Sequence, residues 1–586
     1  MLQPTSQQSR LLPDIVPLGT FTEQDALGRE KIWQTYADKA TGRPAVGMLD
    51  TKSGVLISTF IPRGEFDTAA FEAWVGARHS RSAENTLAIA HEVARSGVDT
   101  GGKLRFFLGI GHTSPADMAK MGIGLDNIPM HLAMLLFLMS AEHAGQEKST
   151  RFQGQFKEKL LDTLSHYLPE NIDPEVMSQL EESYDRLGAL ALSSYLEAKD
   201  LVTRLFQDYY NVKDESGKRF SALMSRSLDC ARVFLLLGQK TGMTFVASAR
   251  EFSRIIALLK AYPGDYLPNF AHDLETFLAP GPQVQKVTGY SGDAAELIRH
   301  TEPESTFLQN LTSLKTLLLK KTTIKELIPR SKFGGVVKQN VSFLPYDYYP
   351  GERLAAQAIL SLFPTIPPLT LLQWIRDLPP GLRKKIGARI FQEISPTRQL
   401  PRMAAATNMT LIFISSIAVA RDLARHRGGG GRFEPIPIFN GVPTTYEMAK
   451  DLLNNGFILP VHLDADPKFA EVQRRFKQMF LKYYGELNGF LEQCHQALGD
   501  NVDYGFVLNL LPLGHCIPLW MHMNPAQANY LPELRVRPGG DNSYRVLAYR
   551  ANEILSKSPD KILAGLKFPA GKKPDILSPE EFFDRS

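Results

Sequence analysis

Two short runs hold the residues most able to do chemistry. The run Val419 to Arg427 sets Arg425 and Arg427 on either side of His426. Arginine offers a planar fork of permanently charged donors that binds phosphate oxygens in pairs, so two arginines at alternate positions suit a pyrophosphate, and the imidazole between them can hydrogen-bond or stack on an aromatic ring. The same residues also read as a basic helix C-terminus, where Arg and His complement the dipole and Gly428 begins the exit. The second run, Gln146 to Phe152, contains Gln146, Glu147, Lys148, Ser149 and Arg151. Read by its residues alone, it is a capped loop after an apolar helix.

Other candidates carry less. Gly428 to Gly431 could bring backbone amides close to a phosphate, but no Lys-Ser/Thr follows, so it is not a nucleotide-triphosphate loop, and a mobile linker fits equally. Gly111 to Pro115 followed by Asp117 reads as a turn into a helix N-cap. His515, Cys516 and His522 invite a metal reading, yet nothing supplies the remaining ligands at a typical spacing, and the surrounding Leu513 to Met523 suits a core strand. The run Ala77 to Arg81 is read as the exposed start of a surface helix.

Composition narrows the class. At 586 residues, with 44% apolar and 22% charged residues, the chain has enough apolar surface for large cores and is long enough for two to four domains. The 66 basic and 62 acidic residues leave a net charge of +4, too even to imply nucleic-acid binding. Three dispersed cysteines, Cys230, Cys494 and Cys516, give neither a disulfide framework nor a zinc ribbon and fit a reducing compartment. Met1 to Asp14 does not read as a secretory signal, and the apolar stretch Ile128 to Met139, broken by His131, is too short to cross a bilayer, so the expectation is a cytoplasmic protein without a membrane partner.

The elements that would position these residues recur in the same order twice. Leu278 to Asp293 has the Pro and Gly content of a connection rather than of a helix or strand, which places a domain boundary there. On one side an apolar helix, Pro129 to Ser140, delivers a polar loop; on the other a helix over Met409 to Ala424 does the same. Amphipathic helices follow, with Leu192, Tyr195, Leu196, Leu201 and Leu205 in one half and Phe469, Val472, Phe476, Phe480 and Tyr483 in the other. Each half then has a β-like stretch before a last helix: Gly242 to Ala247 before Ser248 to Ala261, and Tyr504 to Leu513 before Ala526 to Arg535. Glu352 to Leu362 and Leu382 to Ile394 also read as helices, the second with a basic face that is most simply solvated. This order predicts an internal duplication: residues 1–285, a linker over 286–300, and residues 301–586.

These motifs resemble the flavin-dependent thymidylate synthase superfamily, and the chain looks like two diverged copies. Val419 to Arg427 is similar to the family's Arg-His-Arg signature, with Thr410 at its upstream threonine position. Tyr530 to Arg535 and Ser543 to Arg545 are similar to its closing helix. In the first half, Gly111 to Pro115 resembles the family's early turn, Gln146 to Phe152 its polar string, and Ser248 to Phe252 the start of its closing helix. The departures are Asp422 where the family carries glutamine, Lys260 where an arginine is usual, and a late catalytic arginine that has no counterpart, so the catalytic residues stay unassigned.

The resemblance implies an α+β fold of two tandem domains, each a mixed or antiparallel sheet with long helices. It implies FAD near Arg425, His426, Arg427, His112 and Ser114, and a nucleotide near Gln146, Glu147, Ser149, Arg151 and Arg535, as one composite site from complementary halves. The implied reaction is reductive C5 methylation of dUMP with NADPH and methylenetetrahydrofolate as co-substrates, in a homodimer that imitates a tetramer. Two alternatives stay open: a flavoenzyme acting on another pyrimidine nucleotide, and a non-catalytic nucleotide-binding or scaffold protein.

Overall fold

The computed structural model describes residues 15–25, 27–38, 44–59, 69–70, 73–74, 103–105, 114–140, 143–148, 161, 163–168, 171–262, 264–303, 335–343, 350–362, 366–390, 409–424, 432–433, 445–499, 504–565 and 572–584. The chain forms two compact units, one from Met1–Glu182, Gly238–Pro329 and Leu498–Asn509, the other from Ser183–Leu237, Arg330–Ala497 and Leu510–Ser586. Both combine helices with antiparallel sheet, the α+β class expected.

In the first unit the strands are β1 (Ile15–Gln24), β2 (Glu30–Asp38), β3 (Pro44–Asp50), β4 (Leu56–Thr59), β5 (Lys120–Pro129), β6 (His143–Glu147) and β7 (Lys240–Ser248). They pair antiparallel in the order β1-β2-β3-β4-β5-β7-β6. The helices associated with this unit are α1 (Ser114–Met118), α2 (Met130–Met139), α3 (Pro174–Tyr210), which continues into the second unit, and, after α4 (Gly217–Ala231) of the second unit, α5 (Ala249–Lys260), α6 (Tyr266–Leu278) and α7 (Pro282–Thr288). Helix α2 is apolar on every side because it is buried on every side, from Met130 through Phe137. Its His131 is accommodated by one partner, with Nε2 2.7 Å from Asn509 Oδ1, and burial pushes its pKa down to about 4.

The second sheet holds β8 (Asn340–Phe343), β9 (Met409–Ser416), β10 (Arg432–Phe433) and β11 (Cys516–Met523) in the order β10-β11-β9-β8. The helices of this unit continue as α8 (Pro350–Leu362), α9 (Pro368–Asp377), α10 (Pro380–Ile390), α11 (Ile417–Ala424), α12 (Tyr446–Leu453), α13 (Ala470–Leu498), α14 (Pro525–Val536), α15 (Asn542–Ser556) and α16 (Pro579–Phe583). Phe480 of α13 lies 4.3 Å from both Phe234 and Phe457, centroid to centroid, at the middle of this core.

Four local expectations need correction. Met409 to Ala424 is a strand followed by a helix, because its first eight residues bury alternate faces between β8 and β11. Tyr504 to Leu513 contains a 3-10 turn and one helical turn, Val507–Leu510, and the strand lies further on at β11. The segment Leu278 to Asp293 includes α7, since Pro282 presets the helical φ of the first turn and Gly289, at φ 71°, ends it in the left-handed region. On α3 the buried face runs through Ala191, Tyr195, Ala198, Val202 and Phe206, while Leu196 is 53% exposed.

The strand order β4-β5-β7-β6 in one sheet recurs as β8-β9-β11-β10 in the other. Details repeat with it. The Met130 amide donates to the Gln239 carbonyl at 3.0 Å, and the Ile417 amide to the His515 carbonyl at 3.0 Å. Ser248 ends β7 and accepts from the Glu251 amide; Asn524 follows β11 and accepts from the Gln527 amide.

Candidate functional site

In the first half, α2 delivers the chain to edge strand β6. The pleat sends successive side chains to opposite faces, so Gln146 is exposed while Glu147 is buried. The Gln146 amide donates to Thr244 Oγ1 at 3.3 Å, and the Lys148 amide to the Gly242 carbonyl at 2.8 Å. Lys148 also pairs with Asp126 across the strands. Gly242 makes room for that pair, because a Cβ there would stand 2.5 Å from Asp126 Oδ1 and 2.8 Å from Lys148 Nζ.

Helix α5 contributes two more exposed cations. Arg254 donates to the Met139 carbonyl at the end of α2 and pairs with Glu251 at 2.7 Å. Arg250 pairs with Asp117 at 2.8 Å, tying α5 to α1, whose backbone begins at Ser114. Arg254 thus stands at the exit of α2 and Arg250 where α5 meets α1, while Lys148 stands at the other end of β6, each with a carboxylate partner that an incoming phosphate could displace.

In the second half the equivalent exit belongs to α11. Val419, Ala420, Arg421 and Leu423 are buried. Asp422 meets Arg232 at 2.7 Å, and the same Arg232 nitrogen meets Asp541 at 2.7 Å, with side-chain exposures of 8% for Arg232, 14% for Asp422 and 6% for Asp541. Burial, partly offset by Arg232, raises the Asp541 carboxyl above the usual range, and nearby Asp229 and Asp422 reinforce the shift. Arg535 of α14 donates to the Asp422 carbonyl at 3.0 Å and to Tyr544 Oη at 3.2 Å, its guanidinium 4.7 Å from the Tyr544 ring centroid. The motif's helix is therefore fixed through both its side chain and its backbone, three residues before Arg425.

Gln146, Glu147 and Arg535 are described with their side chains, and Ser114 by its backbone. His112, Ser149, Arg151, Arg425, His426 and Arg427 lie outside the described residues, as does the Ala77 to Arg81 run. Sequence reasoning missed Arg232 and Asp541, and gave Tyr544 no part beyond its place in the Ser543 to Arg545 match. Arg232 directly follows an amphipathic helix and no local pattern sets it apart.

A second cluster in this unit imitates nucleophile chemistry without supporting it. Cys230, His462 and Asn542 line up, with Sγ 3.4 Å from Nδ1 and Nε2 2.7 Å from the Asn542 amide nitrogen. Asn542 Oδ1 accepts from Arg545 at 2.6 Å and Arg226 at 3.4 Å, which turns its NH2 group toward the imidazole. Nε2 must then accept, the neutral ring carries its proton on Nδ1, and it cannot take the thiol proton. Burial also raises the Cys230 pKa well above its ordinary value.

The remaining histidines of the metal question are bound elsewhere. His515 Nδ1 lies 2.6 Å from Tyr484 Oη, and burial lowers its pKa to about 3; His522 Nδ1 lies 2.7 Å from Thr410 Oγ1 across the β9–β11 ladder. Among the described residues no group of three or more His, Cys, Asp or Glu is placed to hold a metal, and no helix is long and apolar enough to cross a membrane.

Comparison with known proteins agrees with the first-half motifs. Residues 65–264 match the family model described as thymidylate synthase complementing protein, a span that contains the Gly111 turn, the polar string and all of α5. UPF0159 protein Ta1429 of Thermoplasma acidophilum is 22% identical over 498 residues, covering 79% of this chain and 87% of its own. The solved structure of a UMP/dUMP methylase, PolB from Streptomyces cacaoi, is 14% identical, covers 44% of this chain and 100% of its own, and superposes with a TM-score of 0.28. Residues 65–264, with the motifs they hold, thus carry the chain's similarity to the thymidylate synthase complementing protein family.

Proposed function

We propose that this chain is an FAD-dependent pyrimidine nucleotide methyltransferase that methylates dUMP at C5. The observation that carries the reading is the family match over residues 65–264, which includes the polar string and the surrounding cations of the first half. Gln146 on the open face of β6, with Ser149 and Arg151 beyond it, would hold the nucleotide. Lys148, between Gln146 and those two residues, would add charge for the phosphate.

The flavin would be held by Arg425, His426 and Arg427, with His112 and Ser114. Arg232 and Arg535 fix α11, the helix that leads into this motif, and the arginines of the motif would bind the cofactor's phosphates. Bound reduced flavin supplies hydride, while methylenetetrahydrofolate supplies the one-carbon unit and NADPH the reducing equivalents. The chain's own part is to orient the nucleotide on β6 and balance phosphate charge.

The recurrent strand order supports reading the chain as two tandem copies whose retained motifs complement one another in one composite set. A reciprocal contact within the second unit supports it too: the Leu237 amide donates to the Leu511 carbonyl and the Leu513 amide to the Leu235 carbonyl, around Leu236 facing Pro512. Leu236 and Pro512 each precede their strand by the same four residues, a self-complementary pattern of the kind that joins identical subunits. Two such chains would pair as a homodimer that imitates a tetramer.

The test begins with absorbance. Purified protein, reconstituted with FAD if necessary, should show an oxidised-flavin spectrum, and product analysis over dUMP, UMP and dCMP should show C5 methylation of dUMP. Arg427→Ala should impair flavin retention, and Arg151→Ala should weaken nucleotide binding. Protein that binds neither flavin nor dUMP would leave a scaffold that kept the fold. A second reading, the same chemistry on another pyrimidine nucleotide, draws on Asp422, which replaces the family's glutamine and is bound to Arg232; methylation of UMP or dCMP alone would select it.

A further inference from the structure

The first unit buries a cluster of five charges away from the candidate site. Asp25 and Arg29 lie in the turn between β1 and β2, Lys31 on β2, Asp50 at the end of β3 and Asp273 on α6. Lys31 has no exposed surface, and its Nζ stands 2.7 Å from Asp273, 3.0 Å from Asp50 and 3.6 Å from Asp25. Arg29 meets Asp25 at 2.7 Å and Asp273 at 2.5 Å, and reaches the Asn269 carbonyl. Three carboxylates therefore face two cations, and with all five ionised the cluster holds one negative charge in excess.

The excess is not spread evenly. Burial raises Asp50, but the Ser53 hydroxyl, Lys31 and the Lys52 amide outweigh it and hold the carboxyl below the usual range. Asp25 is likewise held down against its burial, by Arg29 and the Leu27 amide. Asp273 is the most deeply placed, and its burial outweighs Lys31 and Arg29, with Asp50 adding repulsion, so its pKa rises to about 6.

The other charged groups nearby do not account for the imbalance. Glu275, on the same helix, is paired with Lys260 of α5 at 2.6 Å. Burial and Lys260 lower the pKa of His272, so its ring is neutral near neutral pH. Lys52, His166 and Tyr266 line a small cavity together with Arg29, Asp50 and Asp273; at about 20 Å³ it has room for one water, a route by which a proton can reach the carboxylates.

We propose that Asp25, Asp50 and Asp273 together take up one proton from solvent as the pH falls from 7.5 to 5, with Asp273 as its seat, and that this tightens β2 and β3 against α6. The proton joins a carboxylate oxygen and the cluster goes from one net negative charge to none. Removing the unbalanced buried charge stabilises the closed arrangement, because an unpaired charge in low dielectric is costly.

Hydrogen exchange of the full chain, followed by mass spectrometry on peptides covering β2 and corrected for intrinsic rates, reads this directly. A group shifted from 3.8 to about 6 makes the opening constant at pH 5 about tenfold smaller than at pH 7.5. Asp273→Asn removes the proton's seat, and Asp50→Asn balances two carboxylates against two cations; each should bring the ratio close to one. A wild-type ratio of the pH 7.5 to the pH 5 opening constant of one or less overturns the proposal, as does a variant that keeps the tenfold change. Should Asp273→Asn fail to fold, the Asp50→Asn and wild-type measurements still decide. The buried His131 and His515, whose pKa values burial lowers, act in the opposite sense on acidification and cannot mimic the effect.

Discussion

Replacing Arg232 with methionine is the most searching perturbation of the network behind α11. The substitution keeps an apolar stem and removes the charge that two carboxylates share at 2.7 Å each. Removing one partner of a buried ion pair typically costs about 3–5 kcal/mol, because the remaining charge is left uncompensated in low dielectric. Here two carboxylates remain, so the loss should fall in the upper part of that range, about 4–5 kcal/mol. Adding Asp422→Asn should restore about 2 kcal/mol or more, since it removes one of the two stranded charges and leaves an amide able to hydrogen-bond. The loss should also depend on pH. In Arg232→Met the folded carboxylates titrate above their unfolded values, so the penalty is full at high pH and is relieved as pH falls through the folded pKa. Urea unfolding of both singles and the double at pH 5 and 8 measures all of this. A loss below about 1 kcal/mol, or the same loss at both pH values, would place Arg232 with solvated surface pairs and refute the reasoning.

Other outcomes follow from the same physics. His131 is held neutral, with a folded pKa of about 4 against 6.5 unfolded, so the unfolded chain binds more protons below 6.5 and stability falls as pH drops toward 4. Its share at pH 5 is about 2 kcal/mol, and His131→Gln should reduce the pH 7.5 to pH 5 difference in unfolding free energy by that amount. Gly242→Ala should cost about 1–3 kcal/mol and displace Lys148 from Asp126, weakening nucleotide affinity in equilibrium binding more than Ser248→Ala, which removes only a helix cap worth about 1 kcal/mol. Gly387→Ala should destabilise the second unit in thermal melts, because its Cβ would come within 2.0 Å of the Ile562 carbonyl, while leaving flavin binding unchanged.

Elements with strong local signals were legible from sequence. Helix α2 announces itself as an apolar run broken only by His131, α13 as a stripe from Val472 through Tyr483, and α5 through its capping serine and the glutamate three residues on. Strand β2 was not legible, because its inward positions include Lys31 beside Trp33, so the hydropathy alternation that marks a half-buried strand is broken by a charge. Strand β9 reads as helix from sequence because Met409 to Ile414 is apolar but for Thr410 and runs on into Ile417 to Ala420, and a near-continuous apolar run does not separate a buried strand from a buried helix.

The sequence by itself carried the family resemblance, the α+β class and the residue types a nucleotide and flavin would need, since these reside in short motifs and local spacing. Tertiary structure alone decided which charges answer one another. Asp422 looked like a simple departure from the family's glutamine until Arg232, 190 residues away in the chain, came to rest beside it. The Arg535 guanidinium, read as a nucleotide ligand, turned out to grip the Asp422 carbonyl and Tyr544. Cys230, His462 and Asn542 carry no sequence spacing that joins them, and their chemistry is set by two arginines that fix the Asn542 amide. The physical reason is common to all three. A buried charge or amide is governed by its nearest partners in space, and no periodicity in the chain records a partner supplied by a distant segment.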